Sequence, residues 1–193
     1  MSQLTREDLY SLEEYATIRG DFRAKVMAHK QNRKVHVGAN ATLYFEDRLT
    51  MQYQIQEMLR IERIFEPGGI AEELAAYNPL IPDGSNWKAT FMVEYPDVEE
   101  RRAALAGLIG IEDKVWVQVE GQDKIFAIAD EDLERTDEAK TSSVHFLRFE
   151  LSPEMVGALK ADAGLTVGID HPNYQQAVTV DDAARASLVQ DLG

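Results

Sequence analysis

Apolar and polar positions change period several times along the chain, and each change marks an element. From Thr5 to Gln31 the spacing is helical; Thr5-Arg6-Glu7-Asp8 has the form of a capping box, and Gly20 is the expected break within a helix or helical pair. The stretches KVHVG (34–38) and TLYFE (42–46) alternate with period two around the turn residues Gly38-Ala39-Asn40-Ala41, which predicts a hairpin. Asp47 is the expected N-cap of a long helix that stops at Pro67-Gly68-Gly69, and IAEELAAY (70–77) predicts a short one. Pro79-Leu80-Ile81-Pro82-Asp83-Gly84-Ser85-Asn86 then reads as a linker.

Beyond it the pattern repeats. ATFMVEY, DVEERRAALAGL, KVWVQVE and KIFAIAD predict strand, helix, strand, strand; VHFLRFEL, SPEMVGALKADAG, LTVGID and QAVTV predict the same order. Phe91 and Phe146 stand at matching places, and each unit closes on acids, Asp130-Glu131-Asp132 and Asp181-Asp182. The expected class is α+β: N-terminal helices and a hairpin packed on a duplicated βαββ mixed, largely antiparallel sheet. The expected parts are residues 1–79, with the long central helix, and 87–193, with a C-terminal helix, together one compact unit.

The long helix carries an oddity. At about 100° per residue, Tyr53, Ile55, Met58, Leu59, Ile61 and Ile64 spread over most of its circumference. Gln54, Glu57 and Glu62 fall inside that apolar arc, while Gln52, Gln56 and Arg63 hold the polar side. A carboxylate in an apolar arc must be paired, hydrogen-bonded or protonated. The two glutamates lie about 140° apart, so one metal cannot be gripped by both from this helix alone. The basic segment just upstream offers partners in Arg19, Arg23, Arg33 and Lys34, which together also form a candidate anion site.

Composition narrows the chemistry. The 193 residues contain no cysteine, which removes disulfides, thiolate metal sites and a cysteine nucleophile. A net charge of −14 argues against nucleic-acid binding, which needs cationic phosphate contacts. That charge is uneven: 19–36 holds six Lys/Arg against Asp21, and 94–138 holds fourteen acids against five bases. No apolar run approaches a membrane span, and the N-terminal stretch is polar, so the expected compartment is the cytoplasm.

Three segments read together, LEEYATIRGDFRAKVMAHKQNRKVHVG, FEDRLTMQYQIQEMLRIERI and DHPNY, resemble the bacterial proteins grouped as domain-of-unknown-function family 3501, over nearly the whole length. Members are often encoded beside rubrerythrin-like and iron–sulfur oxidoreductase proteins. The resemblance therefore implies an accessory or binding role near peroxide defence, with such a redox protein as partner. It carries over no catalytic residue.

No motif contradicts that role. The residues three before the four histidines are Val26, Arg33, Ser142 and Gly168, so no Glu-x-x-His pair exists for a di-iron site. Zinc-protease, phosphate-loop and nucleophile-elbow motifs are also missing. No cofactor is expected. The alternative is an enzyme or metal protein holding iron, manganese or zinc between the long helix and the sheet, through His36, His145 and Glu57. His171 and Asp170, in the turn of DHPNY, are further candidates for a functional role, against a plain turn reading set by Pro172 and Asn173. Trp87 and Trp116 read as core or strand aromatics.

Overall fold

The computed structural model describes residues 3–129 and 140–193. The acidic run Asp130-Glu131-Asp132 lies outside them. Thr5 caps only a single 3-10 turn, Arg6–Asp8. Ser11 then starts α1 (Leu12–Gln31) through a full capping box with Glu14. The helix runs through Gly20 without a break. That glycine is exposed and costs the helix about 1 kcal/mol, against which Tyr15, Phe22 and Val26 are buried on its inner face. After α1 come β1 (Lys34–His36), β2 (Ala41–Glu46), α2 (Arg48–Glu62) and α3 (Pro67–Tyr77). Asp47 caps α2 as expected, accepting from the Thr50 amide at 2.8 Å.

The second half contains β3 (Asn86–Val93), α4 (Val98–Gly107), β4 (Val115–Val119), β5 (Ile125–Phe126), β6 (Ile128–Ala129), β7 (Val144–Glu150), α5 (Pro153–Lys160), β8 (Leu165–His171), β9 (Tyr174–Thr179) and α6 (Asp182–Val189). The class is α+β. Instead of one mixed sheet the described residues form two, β1-β2-β3-β7-β6 and β5-β4-β8-β9, and every pairing among them is antiparallel. The repeat is visible in this order. The first strands of the two units, β3 and β7, pair with each other in one sheet, and their second strands, β4 and β8, pair in the other. The third strands, β5 and β9, flank that central pair. The units part company at KIFAIAD. Its first half stays on β4, and Ile128–Ala129 cross over to β7. The first sheet also crosses the linker, because β2 of the N-terminal part pairs with β3 over Ala41↔Val93 to Glu46↔Lys88.

One core joins the inner faces of both sheets to α4, α5 and α6, with Trp87, Phe91, Phe149, Val117 and Val167 at its centre. The outer face of the first sheet carries the alternate residues and is only half buried, beneath α1, α2 and α3. The burial of α2 corrects the expected helix face. Met51, Ile55 and Leu59, spaced by four, form a single buried stripe. Ile61 is 62% exposed and Glu62 is exposed, whereas Gln56 is fully buried. Gln56 is accommodated there because its amide spans the backbone of Tyr10, accepting from the nitrogen at 2.7 Å and donating to the carbonyl at 3.4 Å.

Candidate functional site

Register selects which side chains meet on the outer face of the first sheet. Tyr44, Thr90 and Phe146 lie in one row across β2, β3 and β7; Thr42, Met92 and Val144 form the next. Helix α2 lays Met51 and Gln54 over these rows, α1 adds Lys30, and the end of α3 with the turn after it adds Tyr77 and Leu80. Between them lies a cavity of about 360 Å³, at the lower end of the usual small-molecule range. Its walls are mostly apolar; the polar groups come from Lys30, Glu46, Gln54 and Thr90 and from the phenols of Tyr44 and Tyr77. Glu46 is 6% exposed. One of its carboxylate oxygens accepts from the Thr90 hydroxyl at 2.8 Å. Its other oxygen has no hydrogen bond, and neither Glu46 nor Lys30 forms an ion pair among the described residues. A wider cleft of about 880 Å³ is bounded by Asn40, Glu94, Tyr95 and Arg101. Its polar groups already serve one another: Asn40 donates to the Glu94 carbonyl, Thr42 to the Glu94 carboxylate and Arg101 to the Tyr95 carbonyl.

The carboxylates and cations singled out in the sequence sit elsewhere. Glu57 accepts a two-pronged bond from Arg19, at 2.8 Å to each oxygen, and a third bond from the Tyr15 hydroxyl at 2.8 Å. Arg60 approaches at 3.4 Å. The Arg19 guanidinium chiefly holds Glu57 down at about 2, helped by Tyr15 and Arg60 against the effect of burial. Burial and the Glu57 carboxylate in turn push the Tyr15 phenol up. This cluster ties α1 to α2. Glu62 takes no part in it.

Arg33 is buried in a second cluster that joins α1 to the C-terminal end. Its guanidinium donates to the carbonyls of Phe45 and Glu46 at 3.0 and 3.1 Å and to Asp191, with Asp47 at 3.4 Å. His29 completes the group on Asp47. Burial pushes Asp191 up to about 6, with the neighbouring Asp47 adding to the rise and Arg33 opposing it. Asp47 is shifted the other way: burial acts to raise it, but Arg33, the Thr50 amide and His29 together bring it below its ordinary value. Arg23 is exposed on α1 and Lys34 half-buried on β1, so the four basic candidates do not share a site.

The histidines are likewise apart. His36 bonds Thr42 on the outer face of the first sheet at 3.0 Å. His145 pairs across from Phe91 on the inner face, where its ring meets Thr141 at 2.9 Å and Glu112 at 3.7 Å. Register thus places these two on opposite faces, and Glu57 faces α1, so His36, His145 and Glu57 assemble no metal site. Among the described residues no cluster of three or more His, Asp or Glu is arranged to hold a metal.

The DHPNY turn works as a fastener. His171 accepts from the Asn173 amide at 3.1 Å, leaving Nε2–H to donate to the Ile109 carbonyl at 3.2 Å. Asn173 donates to the Gly107 carbonyl at 2.7 Å, at the end of α4. Asp170 pairs outward with Lys124 at 2.7 Å, and that ammonium sits 3.9 Å from the centre of the Trp116 ring. The Tyr174 hydroxyl donates to the Val37 carbonyl and accepts from the Asn40 amide. Gly38, at φ +77°, lies so close that a Cβ there would stand 2.6 Å from the hydroxyl oxygen.

The three segments that resembled a family in sequence therefore lock to one another in space: Tyr15 and Arg19 on Glu57, His29 and Arg33 on Asp47, Gly38 against Tyr174. The family model described as "Protein of unknown function (DUF3501)" matches residues 3–192. The chain belongs to the DUF3501 family. A crystal structure of a protein of unknown function from Burkholderia pseudomallei K96243 is similar over 100% of both chains, at 53% identity and a TM-score of 0.94. Among curated proteins, none matches the chain. Membership of DUF3501 thus brings the fold with it and no assigned chemistry. Among the described residues no helix is long and apolar enough to cross a membrane.

The sequence missed the cavity residues Lys30, Glu46, Gln54 and Thr90. One signal was present. Glu46 ends the alternating strand TLYFE in phase with Thr42 and Tyr44, so strand periodicity puts all three on one face. What periodicity does not carry is the helical layer that covers that face.

Proposed function

We propose that this DUF3501 protein is a binding protein, without catalysis of its own, that takes a small molecule between the first sheet and the α1–α2–α3 layer. The observation that supports this most is Glu46, almost wholly buried beside a ligand-sized cavity with a single hydroxyl as its side-chain partner. A buried carboxylate so sparsely partnered is costly, and a donor arriving in the cavity removes that cost. The polar wall groups are an ammonium, a carboxylate, an amide and hydroxyls, a set suited to holding and orienting a ligand.

The test is a thermal-shift screen of the untagged chain against a broad panel of metabolites, alongside Met92→Trp, which fills the cavity. A ligand at 100 times its Kd adds about 2.7 kcal/mol, which for a chain of this size raises Tm by about 5–10 °C. The Trp variant should lose that response. A panel that moves neither protein refutes the reading. The proposed compartment is the cytoplasm, and the proposed partner of the ligand-bound chain is the rubrerythrin-like or iron–sulfur protein that the family resemblance implies. Reciprocal capture of the two purified proteins tests that partnership, and failure to co-elute at micromolar concentration removes it.

A further inference from the structure

We infer that the cavity is built for an apolar α-amino acid or a zwitterion of similar size. Its ammonium is held by Glu46 and Thr90, its carboxylate by Lys30, and its side chain by the apolar wall. The inference rests on the binding reading above and specifies the ligand.

The argument starts from two opposite charges that line one cavity without satisfying each other. Glu46 comes from β2 and Lys30 from α1, and they form no ion pair together. Lys88 stands directly across from Glu46 in register and is engaged with another group. The free oxygen of Glu46 and the ammonium of Lys30 are therefore each open to a counter-group of their own. A simple cation or a simple anion supplies one of the two; a zwitterion supplies both and adds no net charge to a half-buried site. Thr90 strengthens the assignment at the ammonium end. Its hydroxyl proton is committed to Glu46 at 2.8 Å, so its lone pairs face outward as acceptors, which suits a donor-only group. Gln54 can present its amide N–H₂ beside Lys30 to a carboxylate.

The remaining wall sets the side chain. Met51, Met92, Val144 and Phe146 offer an apolar surface with two flexible thioethers, which tolerates several aliphatic or aromatic shapes. A volume of about 360 Å³ is at the low end of ligand sites and suits one residue-sized molecule better than a nucleotide cofactor.

The experiment is calorimetric titration of the full chain with leucine, methionine and phenylalanine, each compared with its amine lacking the carboxylate and its acid lacking the ammonium. At least one amino acid is expected to bind at one per chain, with both analogues about tenfold weaker or more, since each loses a charge-assisted hydrogen bond. Glu46→Gln and Lys30→Met are expected to weaken it to a similar degree while circular dichroism stays unchanged; should one variant fail to fold, the other carries the test. An amine or acid that binds as tightly as its parent overturns the inference, as does an amino acid unaffected by the variants that fold. If other panel molecules bind and lose affinity with Met92→Trp while no amino acid binds, this inference falls and the binding reading stands. If nothing binds, both fall.

Discussion

Glu57→Ala strips three donors of their acceptor at once, and their surroundings decide the cost. The fall of Glu57 from its ordinary 4.5 to about 2 corresponds to ~3 kcal/mol at about 1.36 kcal/mol per pH unit. Arg19 is 35% exposed, so solvent screening and rehydration after the mutation hold its share well below that figure. Tyr15 is fully buried, and its orphaned hydroxyl adds about 1–3 kcal/mol. The expected loss is therefore about 2–4 kcal/mol, a large part of a typical stability of about 5–15 kcal/mol. Glu57→Leu keeps the volume and should lose about 1 kcal/mol less. Adding Tyr15→Phe to Glu57→Leu removes the orphan and should restore about 1–2 kcal/mol. The sign with pH follows from a depressed folded value: the contribution is full above about 4.5 and fades as pH falls toward 2. The gap between wild type and Glu57→Gln should then narrow from pH 5 to pH 3. Urea unfolding followed by tryptophan fluorescence measures all of this, since Trp87 and Trp116 are both buried. A Glu57→Ala protein within about 0.5 kcal/mol of wild type, or a gap that holds constant down to pH 3, refutes the view that this cluster fastens α1 to α2.

Three further outcomes follow from the other contacts. Asp191 is raised to about 6, so its ionisation works against folding as pH climbs from about 4 to 6. Wild type should lose stability relative to Asp191→Asn by about 2–3 kcal/mol across that window and hold a constant difference above it; urea titrations at pH 4.5, 5.5 and 7 would show a flat difference if the site were solvated. Gly38→Ala forces a left-handed alanine into the Tyr174 hydroxyl and should cost about 2–4 kcal/mol, and Tyr174→Phe in that background should recover only part of it, because it removes the oxygen the alanine meets but leaves Gln176 close and the backbone left-handed; a Tm within a degree or two of wild type would mean the turn can move aside. His171→Ala should lower stability by about 1–2 kcal/mol through its lost bonds to Ile109 and Asn173 and leave binding in the cavity unchanged; urea unfolding reads the first and the calorimetric titrations the second.

Where a single residue type or a local pattern decides the structure, the sequence showed it. Asp47 before an apolar run is an N-cap, and the repeated strand–helix–strand–strand order reappears as paired β3–β7 and β4–β8. The phase of each element was harder to read. On α2, Ile61 looked like core because it is apolar, and Gln56 like surface because it is polar. The stripe that packs is 51–55–59, and Gln56 is buried beside it only because a distant backbone, that of Tyr10, meets both ends of its amide. Phe91 and Phe146 show the same limit on a strand. Register pairs Phe146 with Thr90 and Phe91 with His145, so the two phenylalanines stand one residue out of phase and point to opposite faces. Phe91 accordingly lies in the inner core, whereas Phe146 lines the cavity.

That difference bears on function. The segments that identify the family are rich in residues that hold elements of this chain to one another: a guanidinium on a carboxylate, a tyrosine hydroxyl against a glycine, a histidine closing a turn. Such residues are confined by geometry and stand out as motifs, yet once their partners lie within the fold they have little capacity left for a ligand. Arg19 and Arg33, the strongest anion-binding candidates by residue type, are both occupied by carboxylates of the same chain. The groups with capacity to spare are Glu46 and Lys30, each an ordinary charge in an ordinary amphipathic element, and nothing along the sequence sets them apart. They become distinctive only when β2 is laid under α1 and α2 with no counter-charge between them. On the proposed reading a charge without an internal ion pair is therefore a better guide to the site than a charge within a motif, which directs the search for a ligand to the cavity and not to the conspicuous Glu57.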